Sequence, residues 1–138
     1  MYGSLDISVS GMVAQRTRHA VIAANIANAN VLYNAEGEFD PYLRRSANFS
    51  AGDPSASSAD GRSMGVHVID IALDENALRP RWEPDNPNAD ADGYIMVPDI
   101  NTTVEQINAM EASRAYEANV AAAEATKTMM SQALRMLA

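Results

Sequence analysis

From Asn101 to Leu137 the chain has neither proline nor glycine, and no other feature constrains the fold as tightly. About 36 residues rising ~1.5 Å each make a rod of roughly 54 Å, too long to curl inside a compact domain of 138 residues. Ile100, Val104, Ile107, Glu111, Ala115, Ala118, Ala122, Ala125, Met129, Ala133 and Met136 recur at spacings of three and four, the signature of one helical face. Glu111 is the one charged position on it. Asn101, Thr102 and Thr103 offer N-cap oxygens, and Glu105 three residues beyond Thr102 predicts a capping box. Eight of the seventeen residues from 109 to 125 are alanine, which permits close approach by a second helix.

The N-terminal segment supplies that second helix. Between Leu5 and Asn30 the only breaker is Gly11, and Leu5, Val9, Met12, Arg16, Ala20, Ala23 and Ile26 follow the same spacing. Arg16 alone is polar on that face, and its stem can lie along apolar surface. Asn25, Asn28, Asn30 and Asn34 then weaken the helix and turn the chain. The pattern predicts a mainly α protein with a small β part: long terminal helices paired as an antiparallel hairpin or coiled coil, with a β/loop excursion between them. Residues 1–30 and 100–138 are the expected helical unit, and 31–99 the excursion.

Within 31–99 the turn signals are dense: Glu36-Gly37, Asp40-Pro41, Gly52-Asp53-Pro54 and Asp60-Gly61. Residues 50–63 are rich in Ser, Ala, Gly and Asp and read as a flexible loop. Residues 65–73 and 94–98 read as strands, with a third over 43–49. The prolines of 80–93 predict an irregular connection.

Charge separates the same two regions. The formal net charge is −8. Residues 64–99 carry eight carboxylates against Arg79 and Arg81, while 1–30 and 100–138 nearly balance. An acidic chain lacks the clustered cations of a sequence-independent nucleic-acid binder. The absence of cysteine excludes disulfides, thiolate metal sites and thiol catalysis. No apolar run reaches the ~20 residues of a transmembrane helix, and the first residues lack the basic start and apolar run of a cleavable signal. The expectation is a soluble protein exported, if at all, by another route.

Candidate chemistry is sparse. His19 and His67 have no partners at metal-ligand spacing, since Asp70 would face away from His67 on a strand. No nucleophile elbow or phosphate loop is present. Residues 88–99 match an EF-hand loop loosely, with oxygen donors at the first, third and fifth positions and Gly93 at the sixth. Pro84 and Pro87 forbid the entering helix, so an Asp-Gly turn is the better reading. No catalytic residue, metal ligand or cofactor is expected.

Apolar and small residues also lie off the main stripes: Val13, Val21 and Ala27 on the first helix, Val120, Ala121, Met130 and Leu137 on the second. An apolar surface wider than one partner can cover points to several helical neighbours, and Met129, Met130 and Met136 suit inequivalent ones. Assembly is then expected to order termini that fray in the monomer. Helical pairing of the ends is shared with a rival, a soluble hairpin adaptor or secreted effector that binds one protein partner.

Two motif groups carry a resemblance. Ser10-Gly11-Met12, Gln15-Arg16, Arg18 and Ile22-Ala23-Ala24-Asn25-Ile26-Ala27-Asn28-Ala29-Asn30 resemble the N-terminal signature of bacterial flagellar rod and hook proteins. Ala112-Ser113-Arg114-Ala115-Tyr116-Glu117-Ala118-Asn119, then Lys127, Met129 and Leu134, resemble its C-terminal counterpart. Pro41-Tyr42-Leu43-Arg44-Arg45, Gly65-Val66-His67-Val68 and 87–94 resemble the proximal-rod branch of that family, so the likeness spans nearly the whole chain. Val31-Leu32, Asn86 and Asp99 depart from the pattern.

The resemblance implies a structural subunit of the flagellar basal-body rod. Its terminal helices would pack with copies of itself and with other rod proteins into a hollow helical tube that transmits torque. Export through the flagellar type III apparatus, and contact with ring and export-gate components, are implied with it. Subunit-interface or helix-packing roles fall to Leu5, Val9, Met12, Arg16, Ile22, Asn25, Ile26, Asn28, Val104, Ile107, Arg114, Tyr116, Asn119, Met129 and Met136. Asn25 and Asn28 are expected to cap or bond across a subunit contact, the alternative being that they simply end the helix; Tyr116 anchors the interface or packs within the hairpin, and Arg114 can pair with Glu117 one turn on. Pro87, Asp90, Asp92, Gly93 and Tyr94 shape the excursion's turn.

Overall fold

The computed structural model describes residues 2–137, leaving aside the side chains of Tyr2 and Leu137. Helix α1 runs Tyr2–Ala27, strand β1 Arg45–Ala51, helix α2 Ala59–Met64, and strand β2 Val66–Leu73. Strands β3 (Leu78–Trp82) and β4 (Tyr94–Pro98) then lead to helix α3, Thr102–Leu137. The chain is therefore mainly α with a small β part, as its periodicity predicts.

α1 and α3 pair antiparallel. Gly11 faces Asn119, Arg18 meets Glu111 at 3.1 Å, and Asn25 meets Glu105 at 3.1 Å, so one helix ascends as the other descends. The face of α3 that meets α1 differs from expectation. Buried positions include Gly11, Ala14, Val21, Ile22 and Asn25 on α1, and are Glu105, Ala112 and Thr126 on α3. Val104, Ile107, Glu111, Ala118, Ala122, Ala125, Met129 and Met136, expected to form the seam, are exposed. α3 is turned by about one residue, ~100°, from the arrangement its aliphatic stripe suggests. Small side chains explain the choice, because a Cβ on Gly11 would lie 2.7 Å from the Asn119 side-chain oxygen.

A second face of α1 carries the excursion. The Asp6 carboxylate accepts the Ser58 N–H at 2.9 Å, and Ser58 caps α2 by accepting from the Gly61 N–H. The Ser58 hydroxyl first, and then its amide, hold the Asp6 carboxyl below its ordinary range. One turn on, Ser10 Oγ accepts the Val66 N–H at 3.0 Å and donates to the Ile7 carbonyl. Residues 50–63, expected as a flexible loop, thus hold the end of β1, a turn and α2 docked on α1. Serine-rich composition suits capping as well as it suits flexibility.

The strands form two separate two-stranded antiparallel sheets, β1 with β2 and β3 with β4. Between Asn48↔Asp70 and Phe49↔Val68 the register shifts, leaving Ile69 as the extra residue of a bulge. β3 occupies part of the stretch expected to be irregular. Pro80 pairs with Met96 there, tolerated because each strand of a two-stranded sheet keeps a free edge. At the β3–β4 connection Asp90 Oδ1 accepts the N–H groups of Asp92 and Tyr94, at 3.0 and 2.8 Å. Gly93 takes φ +81°, so an Asp-Gly turn forms there. Asn101 caps α3, accepting from Thr103 and Val104. Glu105 does not close the capping box expected with Thr102; its carboxylate turns inward.

Replacing Gly11 by valine forces the helices apart and should destabilise the chain by about 2 kcal/mol. Urea unfolding measures it, and an unchanged midpoint would contradict close helix approach at this position.

Candidate assembly surface and its polar clasp

The best-buried charge lies where α1, the segment before β1, and the first turn of α3 converge. Glu105 is 1% exposed. Arg44 donates from Nε and Nη2 to its Oε1, at 2.9 and 2.7 Å. Asn25, also 1% exposed, donates from Nδ2 to Glu105 Oε2 at 3.1 Å and to the Arg45 carbonyl at 2.8 Å. Asn25 Oδ1 accepts the Arg45 N–H and the Tyr42 hydroxyl, at 2.9 and 3.1 Å. Every polar atom of the Asn25 side chain is used inside the chain. Asn25 thus needs no neighbouring subunit to satisfy its side chain. Asn28 likewise donates back to the Ala24 carbonyl at 2.8 Å, one helical turn away.

The clasp stabilises by being complete. A buried carboxylate stripped of its cation costs far more than the pair contributes relative to apolar replacements. Burial pushes the Tyr42 hydroxyl above the ordinary tyrosine value, opposed by the Arg45 guanidinium and reinforced by the Glu105 carboxylate. Arg45 sits 5.4 Å from the centre of the Tyr42 ring.

Farther along the helix pair, the two motif groups of the sequence meet. Gln15, Arg16, His19 and Ala20 from α1 and Ala112, Ser113, Tyr116 and Glu117 from α3 line an open, largely apolar cleft of about 460 Å³. Gln15 Oε1 is buried without a hydrogen-bond partner. Arg114 and Glu117 are both exposed and form no ion pair, against expectation; the cross-helix pair Arg18–Glu111 forms instead. Tyr116 is 40% exposed at the rim of this cleft. Toward the other end, Leu5 with Ala123, Met130 and Leu134 borders an apolar groove.

The remaining candidate residues sort by exposure. Val9, Arg16, Val104, Ile107, Arg114, Met129 and Met136 are exposed, and Leu5, Met12, Ile26 and Asn119 are half-buried. Ile22 is buried, in the cleft region shared with Arg44, Arg45 and Phe49. Pro87, Asp90, Asp92, Gly93 and Tyr94 belong to the β3–β4 hairpin and its turn and do not join the helical surface. Glu105, Arg44 and Tyr42 complete the clasp and were not among the expected site residues. Proximity of Tyr42, Arg44 and Arg45 to a buried asparagine has no periodic signature in the sequence. Among the described residues no helix is long and apolar enough to cross a membrane, and no cluster of three or more His, Asp or Glu could hold a metal ion.

Arg44→Ala leaves the Glu105 carboxylate buried and uncompensated, and should cost about 3 kcal/mol in urea unfolding; a cost near that of an ordinary surface substitution would contradict the clasp. The elevated Tyr42 value gives the sign of an alkaline effect. The unfolded chain loses the phenolic proton first, so Tyr42's contribution is full below pH 10.0 and is lost as pH rises through the folded value. Thermal midpoints of wild type and Tyr42→Phe should therefore converge at alkaline pH, and a constant gap would contradict this.

Comparison with known proteins reproduces the two motif groups. Residues 5–31 match the family described as "Flagella basal body rod protein", and residues 91–136 match "Flagellar basal body rod FlgEFG protein C-terminal". The flagellar basal-body rod protein FlgC of Bacillus subtilis is 32% identical over 145 residues, covering 98% of this chain and 97% of that protein. FlgC of Salmonella typhimurium is 34% identical, covering 95% and 93%, and FlgC of Buchnera aphidicola from Schizaphis graminum 36%, covering 94% and 93%. With two paired terminal helices, both motif groups brought onto them and relatives aligned over nearly its whole length, this chain belongs to the flagellar basal-body rod protein family.

Proposed function

We propose that this chain is a structural, non-enzymatic subunit of the proximal rod that polymerises through its terminal helices. One observation carries the reading: the aliphatic stripe of α3 faces outward. Ile107 is 60%, Met129 58% and Met136 83% exposed, and Val9 and Val13 are exposed on α1. A long helix pair that keeps small and polar side chains for its own seam, and aliphatic ones for its outside, is built to be covered by other helices.

In this reading residues 1–30 and 100–138 form the inner tube and 31–99 the outer excursion. Copies of the chain and other rod proteins cover the stripe, and the closed tube transmits torque and encloses an export channel. Ring and export-gate components of the basal body are further neighbours. Delivery is through the flagellar type III apparatus, in an unfolded state. The near-neutral helical ends support self-packing without strong mutual repulsion. Before assembly, the uncovered outer turns of both helices fray.

Ile107→Asp tests the reading. A substitution at an exposed site should leave monomer stability within about 0.5 kcal/mol, while rod assembly and motility are lost. Circular dichroism of dilute wild-type monomer should show less helix than α1 and α3 together contain. Normal motility of the variant would overturn the assembly role of the stripe, and full helix content would overturn the fraying.

A further inference from the structure

The second sheet carries an apolar face that lies open at its Trp82 end. Trp82 pairs with Tyr94 and Pro80 with Met96, and directly opposed residues share one side of a sheet. The other side holds Ile95 and Val97, both buried. On the outward side Trp82 is 65% exposed, with Tyr94 and Met96 above 40%. Neither the indole N–H nor the Tyr94 hydroxyl makes a hydrogen bond. Single exposed apolar residues are ordinary, but a contiguous aromatic patch with unused polar handles has the make-up of an interface anchor.

The surrounding charge says what would cover it. Residues 83–92 contain four carboxylates and no cation. Glu83 is engaged by Arg81 at 2.6 Å and Asp90 by backbone amides, while Asp85 and Asp92 have no cationic partner. Trp82, Glu83, Pro84 and Asp85 line a cleft of about 530 Å³ with Asn86 and Pro87. Gly93, adjacent to Asp92, lies against the indole, since a Cβ there would sit 3.4 Å from Nε1. An exposed indole flanked by free carboxylates suits a guanidinium, which stacks on the ring and pairs with the acids. A second copy is a poor occupant. It brings a further net −8, which opposes its approach to an acidic face.

We propose that the outer face of the β3–β4 hairpin docks a basic protein other than a copy of this chain, through an arginine-bearing apolar segment laid across Trp82. This contact is separate from the helical ones and does not depend on polymerisation.

Trp82 is the only tryptophan, so its emission reads the site directly. The full chain is titrated with a peptide alternating arginine and leucine. A saturable emission change is expected, with affinity about tenfold weaker in Asp85→Lys/Asp92→Lys and unchanged in the α3 control Glu117→Lys/Glu124→Lys. Calorimetry on Trp82→Ala should show a similar loss. An absent or unsaturable change, an equal change with a glutamate–leucine peptide, or an equal loss in the control pair would overturn the proposal. So would the same emission change on raising the protein concentration alone, which would make a second copy the occupant.

Discussion

Glu105 is a carboxylate almost wholly removed from water, and the arrangement of the chain follows from how it is held. Arg44 reaches it from the segment before β1, and Asn25 from the last turns of α1. Three stretches distant in sequence must therefore be in place together for any one of them to be satisfied. A charge buried at this depth tolerates no partial solution, since each missing partner leaves an unpaired group in a poor dielectric. The clasp sets the register of α3 against α1 and ties the root of the excursion to both. Below it, Gly11 against Asn119 lets the helices run close, and Asp6 and Ser10 pin the excursion to the opposite flank of α1.

This polar seam explains an amphipathicity that runs the wrong way for a free-standing hairpin. The interior of the helix pair uses glycine, alanine, threonine, asparagine and glutamate beside the buried Val21 and Ile22, while Val104, Ile107, Met129 and Met136 look outward. A subunit built so needs neighbours to bury its apolar surface, which accords with membership of a family of rod proteins.

Much of the fold was legible in residues alone. The proline- and glycine-free run after Asn101 announces α3, the matching spacing from Leu5 announces α1, and the apolar, β-branched stretches 65–73 and 94–98 announce β2 and β4. What periodicity cannot express is which neighbour a stripe meets. The aliphatic face of α3 reads as the hairpin seam because apolar faces usually seek the nearest partner, and here the nearest partner favours small and polar contacts. Asn25 and Glu105 were read by local rules, as a contact residue and a cap, whereas their partners lie 80 residues apart. β3 was hidden by Pro80, a residue that reads as a breaker everywhere except on a free edge. Of the candidate surface, the motif residues around Gln15 and Tyr116 were identified and do converge; the clasp that positions them was not.

In the proposed assembly the outward stripe, not the inner seam, is the surface on which subunits meet. An electron-microscopy reconstruction of the assembled rod at side-chain resolution tests it most directly. The account predicts Val104, Ile107, Met129 and Met136 covered by helices of neighbouring subunits, with Asn25, Arg44 and Glu105 still bonded within one chain. A rod in which those four side chains face open water, and subunits touch only through residues 31–99, would contradict it.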